Sequence, residues 1–110
     1  MNFSSERSLD PVTILGARVL ATRDQGKKLR ELAIGRLRQP GVLEVSLERV
    51  EAVSPSFADE FFGGLMEELG RDEFLRRIRV GNASEEIRLL IRKVVSHREQ
   101  SPHTKRSGSD

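Results

Sequence analysis

Ser54, Ser56, Asp59 and Glu60 crowd one short stretch of the chain, and their types and spacing are the first that could do chemistry. Hydroxyls beside a helix start have two uses. They accept hydrogen bonds from the orphan amides of the first turn, or they take a phosphoryl group whose added charge the helix dipole stabilises. Ser56 and Ser54 are therefore candidate phosphoacceptors as well as candidate caps. Asp59 and Glu60 are sequence neighbours, so they point in different directions and do not form a carboxylate pair across one bond. Asp59 falls at the margin of an apolar face. It reads either as a first-turn dipole charge or as a half-buried carboxylate bonded to an arginine or an amide. Arg23, just after Thr22, reads either as an anion-binding residue beside free amides or as an ordinary surface arginine.

Other chemistry is not signalled. There is no nucleophile elbow, no glycine-rich phosphate loop and no His-Glu-x-x-His. Gly63-Gly64 lies inside a helix pattern and reads as small-residue packing or a kink. The histidines, His97 and His103, have no carboxylate partner in sequence and make poor metal or acid–base candidates. No catalysis, cofactor or metal is expected. The chain has no cysteine, which removes disulfides and thiolate metal sites and fits a cytoplasmic protein. No apolar run approaches the ~18 residues of a membrane span, and Met1–Glu6 shows no signal pattern. A net charge of +2 hides an asymmetry: residues 1–69 hold 9 Lys and Arg against 11 Asp and Glu, and residues 70–110 hold 10 against 6. The basic half raises an alternative, a nucleic-acid accessory protein using Arg76, Arg77, Arg79, Arg88, Arg92, Arg98 and the basic tail. The absence of Tyr and Trp argues against base stacking as its mode.

These residues must be positioned by a small α/β frame. Residues 1–10 read as a flexible N-terminus, 11–98 as the domain, and 99–110 as a disordered tail with no apolar residue after Gln100. Val12–Leu15, bounded by Pro11 and Gly16, reads as a strand. Arg18–Leu20 is either a second short strand or a loop. Thr22 with Gln25 forms a capping box in sequence, opening a helix whose apolar face is Leu29, Leu32, Ala33 and Leu37. Gly26 projects onto that face, so the helix is expected to approach the sheet closely. Val42–Leu47 is the clearest strand, near-continuous in apolar character as if buried on both faces. Residues 54–69 form the organising helix, with Phe57, Ala58, Phe61, Phe62, Leu65, Met66 and Leu69 on one side. Gly70 closes it, Arg71–Glu73 reads as a polar turn, and Arg76–Val80 reads as a strand. Ser84 caps a last helix with Ile87, Leu90, Ile91, Val94 and Val95 on its apolar face. The expected core is Leu29, Leu32, Val45, Phe57, Phe61, Leu65, Ile78, Ile91 and Val94. The alternation β-α-β-α-β-α argues a mostly parallel sheet with helices mainly on one face.

Ser54-Pro55-Ser56-Phe57-Ala58-Asp59-Glu60-Phe61-Phe62-Gly63 resembles the signature of the STAS-like domain family, small domains similar in fold to the anti-sigma-factor antagonists. The resemblance covers most of residues 16–95. Ala21–Leu29 is similar to the family's segment before the first helix, Glu44–Val53 to its central strand, and Asn82 to the Asn after its third strand. Ser46 stands where the family usually has Asp, and Arg49 where Gly is common. Antagonists proper carry Asp-Ser-Ser-Gly at the turn, and their acceptor serine aligns with Pro55, leaving Ser56 or Ser54 to substitute. The resemblance implies a non-enzymatic regulatory protein-interaction domain of bacterial signalling, with a GHKL-type ATPase or anti-sigma-like protein as partner. It places the partner-binding or switch surface at Ser54, Ser56, Phe57, Asp59, Glu60, Thr22 and Arg23. Either a monomer or a homodimer fits.

Overall fold

The computed structural model describes residues 8–100. Along this part of the chain run β1 (Ser8–Leu9), α1 (Pro11–Leu15), β2 (Val19–Leu20), α2 (Arg23–Arg36), β3 (Leu43–Ser46) and β4 (Ala52–Val53). A continuous helical run follows: α3 (Pro55–Ala58), a π turn (Asp59–Gly63) and α4 (Gly64–Leu69). Then come α5 (Arg71–Arg77), β5 (Ile78–Gly81) and α6 (Glu85–Gln100). The fold is α/β, as expected. β3 lies between β1 and β5 in one parallel sheet, and β2 pairs with β4, also in parallel, in a second.

Two elements depart from the sequence reading at the N-terminal end. Residues 8–10 are not frayed: Ser8 and Leu9 pair with Glu44 and Val45, and Leu9 is fully buried. Val12–Leu15 is helical, not extended. Asp10 caps it by accepting from the Val12 and Thr13 amides, Pro11 occupies the first turn, and Gly16 closes it at φ 68°. Those termini prevail over the strand preference of a β-branched run. Similarly, Arg71–Arg77 is a helix, where Arg71–Glu73 reads from sequence as a polar turn and Arg76–Arg77 as the start of a strand; Asp72 and Glu73 stand in its first turn and Arg76 and Arg77 in its last. The Arg77 guanidinium then reaches across to the carbonyls of Leu37, Gln39 and Gly41, tying down the loop after α2. At the other end, Glu99 belongs to α6 and pairs with Arg71 at 2.7 Å. The expected tail over 101–110 lies outside the described residues.

The core forms around the 55–69 helical run, which packs on both α2 and α6. Phe57 stacks on Phe61 at 5.7 Å between ring centroids, and Phe62 meets Phe61 edge-on at 4.7 Å. Of the expected core, Leu29, Val45, Phe57, Phe61, Leu65 and Ile91 are buried, and Ile78 and Val94 pack against them. Leu32 is 41% exposed, because the buried stripe of α2 is Gly26, Leu29 and Ala33, and Leu32 stands off it. β3 alternates instead of being buried on both faces: Leu43 and Val45 point inward, while Glu44 and Ser46 are half-buried.

Candidate functional site

β2 and β4 bring the two candidate segments together. The Ser54 amide donates to the Leu20 carbonyl at 2.9 Å, so the chain leaves both strands side by side. From one strand it runs into Thr22–Arg23 and from the other into Ser54–Ser56. Thr22 completes its capping box: its hydroxyl accepts from the Gln25 amide at 3.0 Å, and the Gln25 side chain accepts from the Thr22 amide at 3.0 Å. Ser54 is fully committed. Its hydroxyl accepts from the Phe57 amide at 3.1 Å and donates to the Ala21 carbonyl at 2.6 Å. Ser56 is half-buried and lines an open cleft. Phe57, grouped with the partner-binding residues from sequence, is only 1% exposed; its place is the core, because it is the inward residue of the first helical turn.

Arg23 neither waits for an anion nor sits idle at the surface. One of its nitrogens donates to Asp59 at 3.2 Å and to Glu60 at 3.1 Å. Two arginines that the sequence reading does not place at this turn complete the arrangement: Arg30, which it passes over, and Arg98, which it counts only with the candidate nucleic-acid contacts. Arg30, on α2, donates to Glu60 at 3.0 Å and also to the Glu60 backbone carbonyl. Arg98, on α6, donates to Asp59 at 3.1 Å, pairs with Glu67, and reaches the carbonyls of Gly63 and Asp59. Two adjacent carboxylates are thus clamped by three guanidinium groups from two helices. The π turn opens the backbone ladder here, and the arginines supply donors to the carbonyls of that turn.

Glycines make the clamp possible. A Cβ on Gly64 would lie 2.8 Å from Arg30 Cδ, and one on Gly63 would lie 3.0 Å from Arg98 Cγ. Gly63-Gly64 is therefore a crossing point for two arginines at the end of the π turn, in keeping with the small-residue packing read from sequence. Gly26 serves the same end. A Cβ there would come within 2.9 Å of Glu60 Cβ and 3.1 Å of the Phe57 carbonyl, so its close approach is to the helix at 55–69 and not to the sheet.

Electrostatics follow from this geometry. Partial burial pushes the Asp59 carboxyl upward, but the hydrogen bonds from Arg98 and Arg23 outweigh it and hold the group below its ordinary range. For Glu60 the Arg30 hydrogen bond is the largest influence. It prevails over desolvation and, helped by Arg23, lowers that carboxyl too. Both are ionised acceptors at neutral pH.

The cleft of about 560 Å³ beside the clamp is lined by Arg23, Pro55, Ser56, Asp59, Leu90, Lys93, Val94 and His97. Sequence spacing did not bring α6 to this place. His97, set aside for want of a carboxylate, stands at the cleft with Lys93. Among the described residues no three His, Cys, Asp or Glu side chains gather where they could hold a metal ion, and no helix is long and apolar enough to cross a membrane. Most of the arginines considered for nucleic acid are engaged within the chain. Arg76 and Arg77 pair with Glu73, Arg88 donates to the Val80 carbonyl, and Arg98 is held in the clamp.

A family model described as a STAS-like domain of unknown function (DUF4325) matches residues 25–88. No curated protein and no solved structure matches the chain. The matched span contains Arg30, the Ser54–Asp59 turn and the π turn, and it stops before Lys93, His97 and Arg98.

Proposed function

Because the chain belongs to the family of STAS-like domains of unknown function, we propose that it is a non-enzymatic, cytoplasmic regulatory domain that binds a protein partner through the turn at 54–59 and the start of α2. A GHKL-type ATPase is the partner class this reading favours, as kinase and binding partner in one. The observation that carries it is the open cleft with Ser56 on its wall beside Arg23, Lys93 and His97. Ser54 is occupied as a cap, so Ser56 is the acceptor. A phosphoryl group there adds roughly −1.5 to −2 charge next to Arg23, which already serves Asp59 and Glu60. It competes with those carboxylates for the guanidinium and attracts Lys93, changing the surface that a partner meets without unfolding the domain.

The test is binding of a co-purified partner to full-length wild type, Ser56→Ala and Ser56→Asp, with mass spectrometry of the native protein. Ser56→Asp is expected to shift affinity by about tenfold. Ser56→Ala is expected to remove any phosphate-dependent change while leaving the melting temperature in place. Two mutants that bind like wild type, with Ser56 never modified, would remove the switch.

A further inference from the structure

Helix α6 carries an outward stripe that meets its core-facing one at Leu90, a half-buried residue packed against the core. Glu86, Leu89, Leu90, Lys93 and His97 recur three and four residues apart, so they share one face. Together with Arg92 and Ser96 they line a cleft of about 710 Å³. Leu90, Lys93 and His97 also line the cleft beside Ser56, so the two clefts adjoin along the helix. Leu89 is 53% exposed and borders a further depression with Ala83, Glu85, Arg88 and Arg92. From Glu86 to His97 the stripe is roughly 16 Å long at the helical rise, about three turns.

The charge around this apolar line is unbalanced. Among the described residues, no ion pair or side-chain hydrogen bond engages Arg92, Lys93 or His97, whereas Arg98 one position on is held by Asp59 and Glu67. Glu86 is the one acid of the larger cleft, at its far end. A leucine line flanked by unspent cations complements a ligand that brings apolar and acidic side chains at matching intervals.

We propose that this face of α6 is a docking surface for an acidic amphipathic helix of a partner protein. The proposal rests on the reading of the chain as a protein-interaction domain and extends the contact surface from the Ser56 turn along α6. Leu89 and Leu90 receive apolar side chains spaced three or four apart, and Arg92 and Lys93 receive the flanking carboxylates. This face lies largely beyond the span that the family model matches.

The experiment is display of random peptides of about 14 residues, roughly four helical turns, selected on the full chain at about 0.15 M salt. Enriched peptides are expected to carry several Asp or Glu and two apolar residues three or four apart. A synthetic copy of the commonest one is expected to lose about tenfold or more in affinity for Leu89→Asp and for Lys93→Glu. Leu89 is exposed, so these variants should melt as wild type does; if Leu89→Asp does not fold, Lys93→Glu decides. Ser56→Asp, run alongside, tests the turn separately. No enrichment, enriched peptides without acids, or binding by both α6 variants as tight as that of wild type overturns the docking surface even where Ser56 still governs a partner. So does sedimentation showing that Leu89→Asp dissociates a dimer, or a labelled DNA that displaces the peptide.

Discussion

Asp59 and Glu60 are two carboxylates sharing three arginines, and their lowered pKa values make a pH signature. A carboxyl whose folded pKa is depressed contributes stability that is fully present above its unfolded value, about 4. That contribution is lost as pH falls through the folded value. Thermal melts from neutral pH downward are therefore expected to hold until about pH 4 and then to fall. In an Asp59→Asn, Glu60→Gln variant the drop in that acid window is expected to be shallower. At neutral pH, Asp59→Asn alone is expected to cost about 1–3 kcal/mol, because Arg98 loses a partner in a half-buried place. A denaturant titration measures it. Sequence made part of this visible. For Asp59 the sequence offers two readings, a first-turn dipole charge or a half-buried carboxylate bonded to an arginine or an amide, and the structure shows the second; Thr22 and Ser54 read as caps. Arg30 and Arg98 stayed hidden, since nothing local shows which arginine crosses to which helix. One signal was present: Arg23, Gly26 and Arg30 fall on one face of α2, and Asp59, Gly63 and Glu67 recur four residues apart, setting small residues among the charges.

At the scale of elements, glycine placement decides what each helix tolerates. Gly64→Ala gains up to ~1 kcal/mol of helix propensity but drives a methyl group into Arg30 and loosens its hold on Glu60. The net change is expected to be a loss of about 1–3 kcal/mol. Gly35→Ala is the control: it lies in α2 with nothing within 4 Å of an added Cβ, and it is expected to stabilise by up to ~1 kcal/mol. Equal effects in urea titrations would contradict the crossing-point role of Gly64. The long helices were legible because their apolar periodicity runs over many residues; β3 was legible as an apolar β-branched run, though its four residues were too few to show that only Leu43 and Val45 face inward. α1 was not, because in five residues the β-branched Val12, Thr13 and Ile14 outweighed the cap signals of Asp10, Pro11 and Gly16 that in fact decide it. The π turn has no sequence signature beyond the paired glycines. β1 is two residues long, too short for any alternation to show.

The whole molecule depends on that short strand. Leu9 is fully buried beside β3, and Asp10 is held by Arg49 at 2.9 Å. Leu9→Ala is expected to cost ~2–5 kcal/mol by cavity formation, lowering the melting point by about 4–8 °C per kcal/mol in a domain of this size. An unchanged melting point would return residues 8–10 to a dispensable terminus. The spacing of the tertiary ties has a further, kinetic consequence. Ser8 meets Glu44, Val19 meets Ala52, Leu43 meets Ile78, and Arg98 meets Asp59. Each tie closes a loop of some 33–39 residues, and among the described residues every strand pairing is parallel. Helices can flicker into being within about a microsecond, but no strand finds its neighbour until a long stretch of chain has been drawn together against its entropy. Stopped-flow refolding is therefore expected to run in milliseconds or slower, with the aromatic helix at 55–69 in place before either sheet.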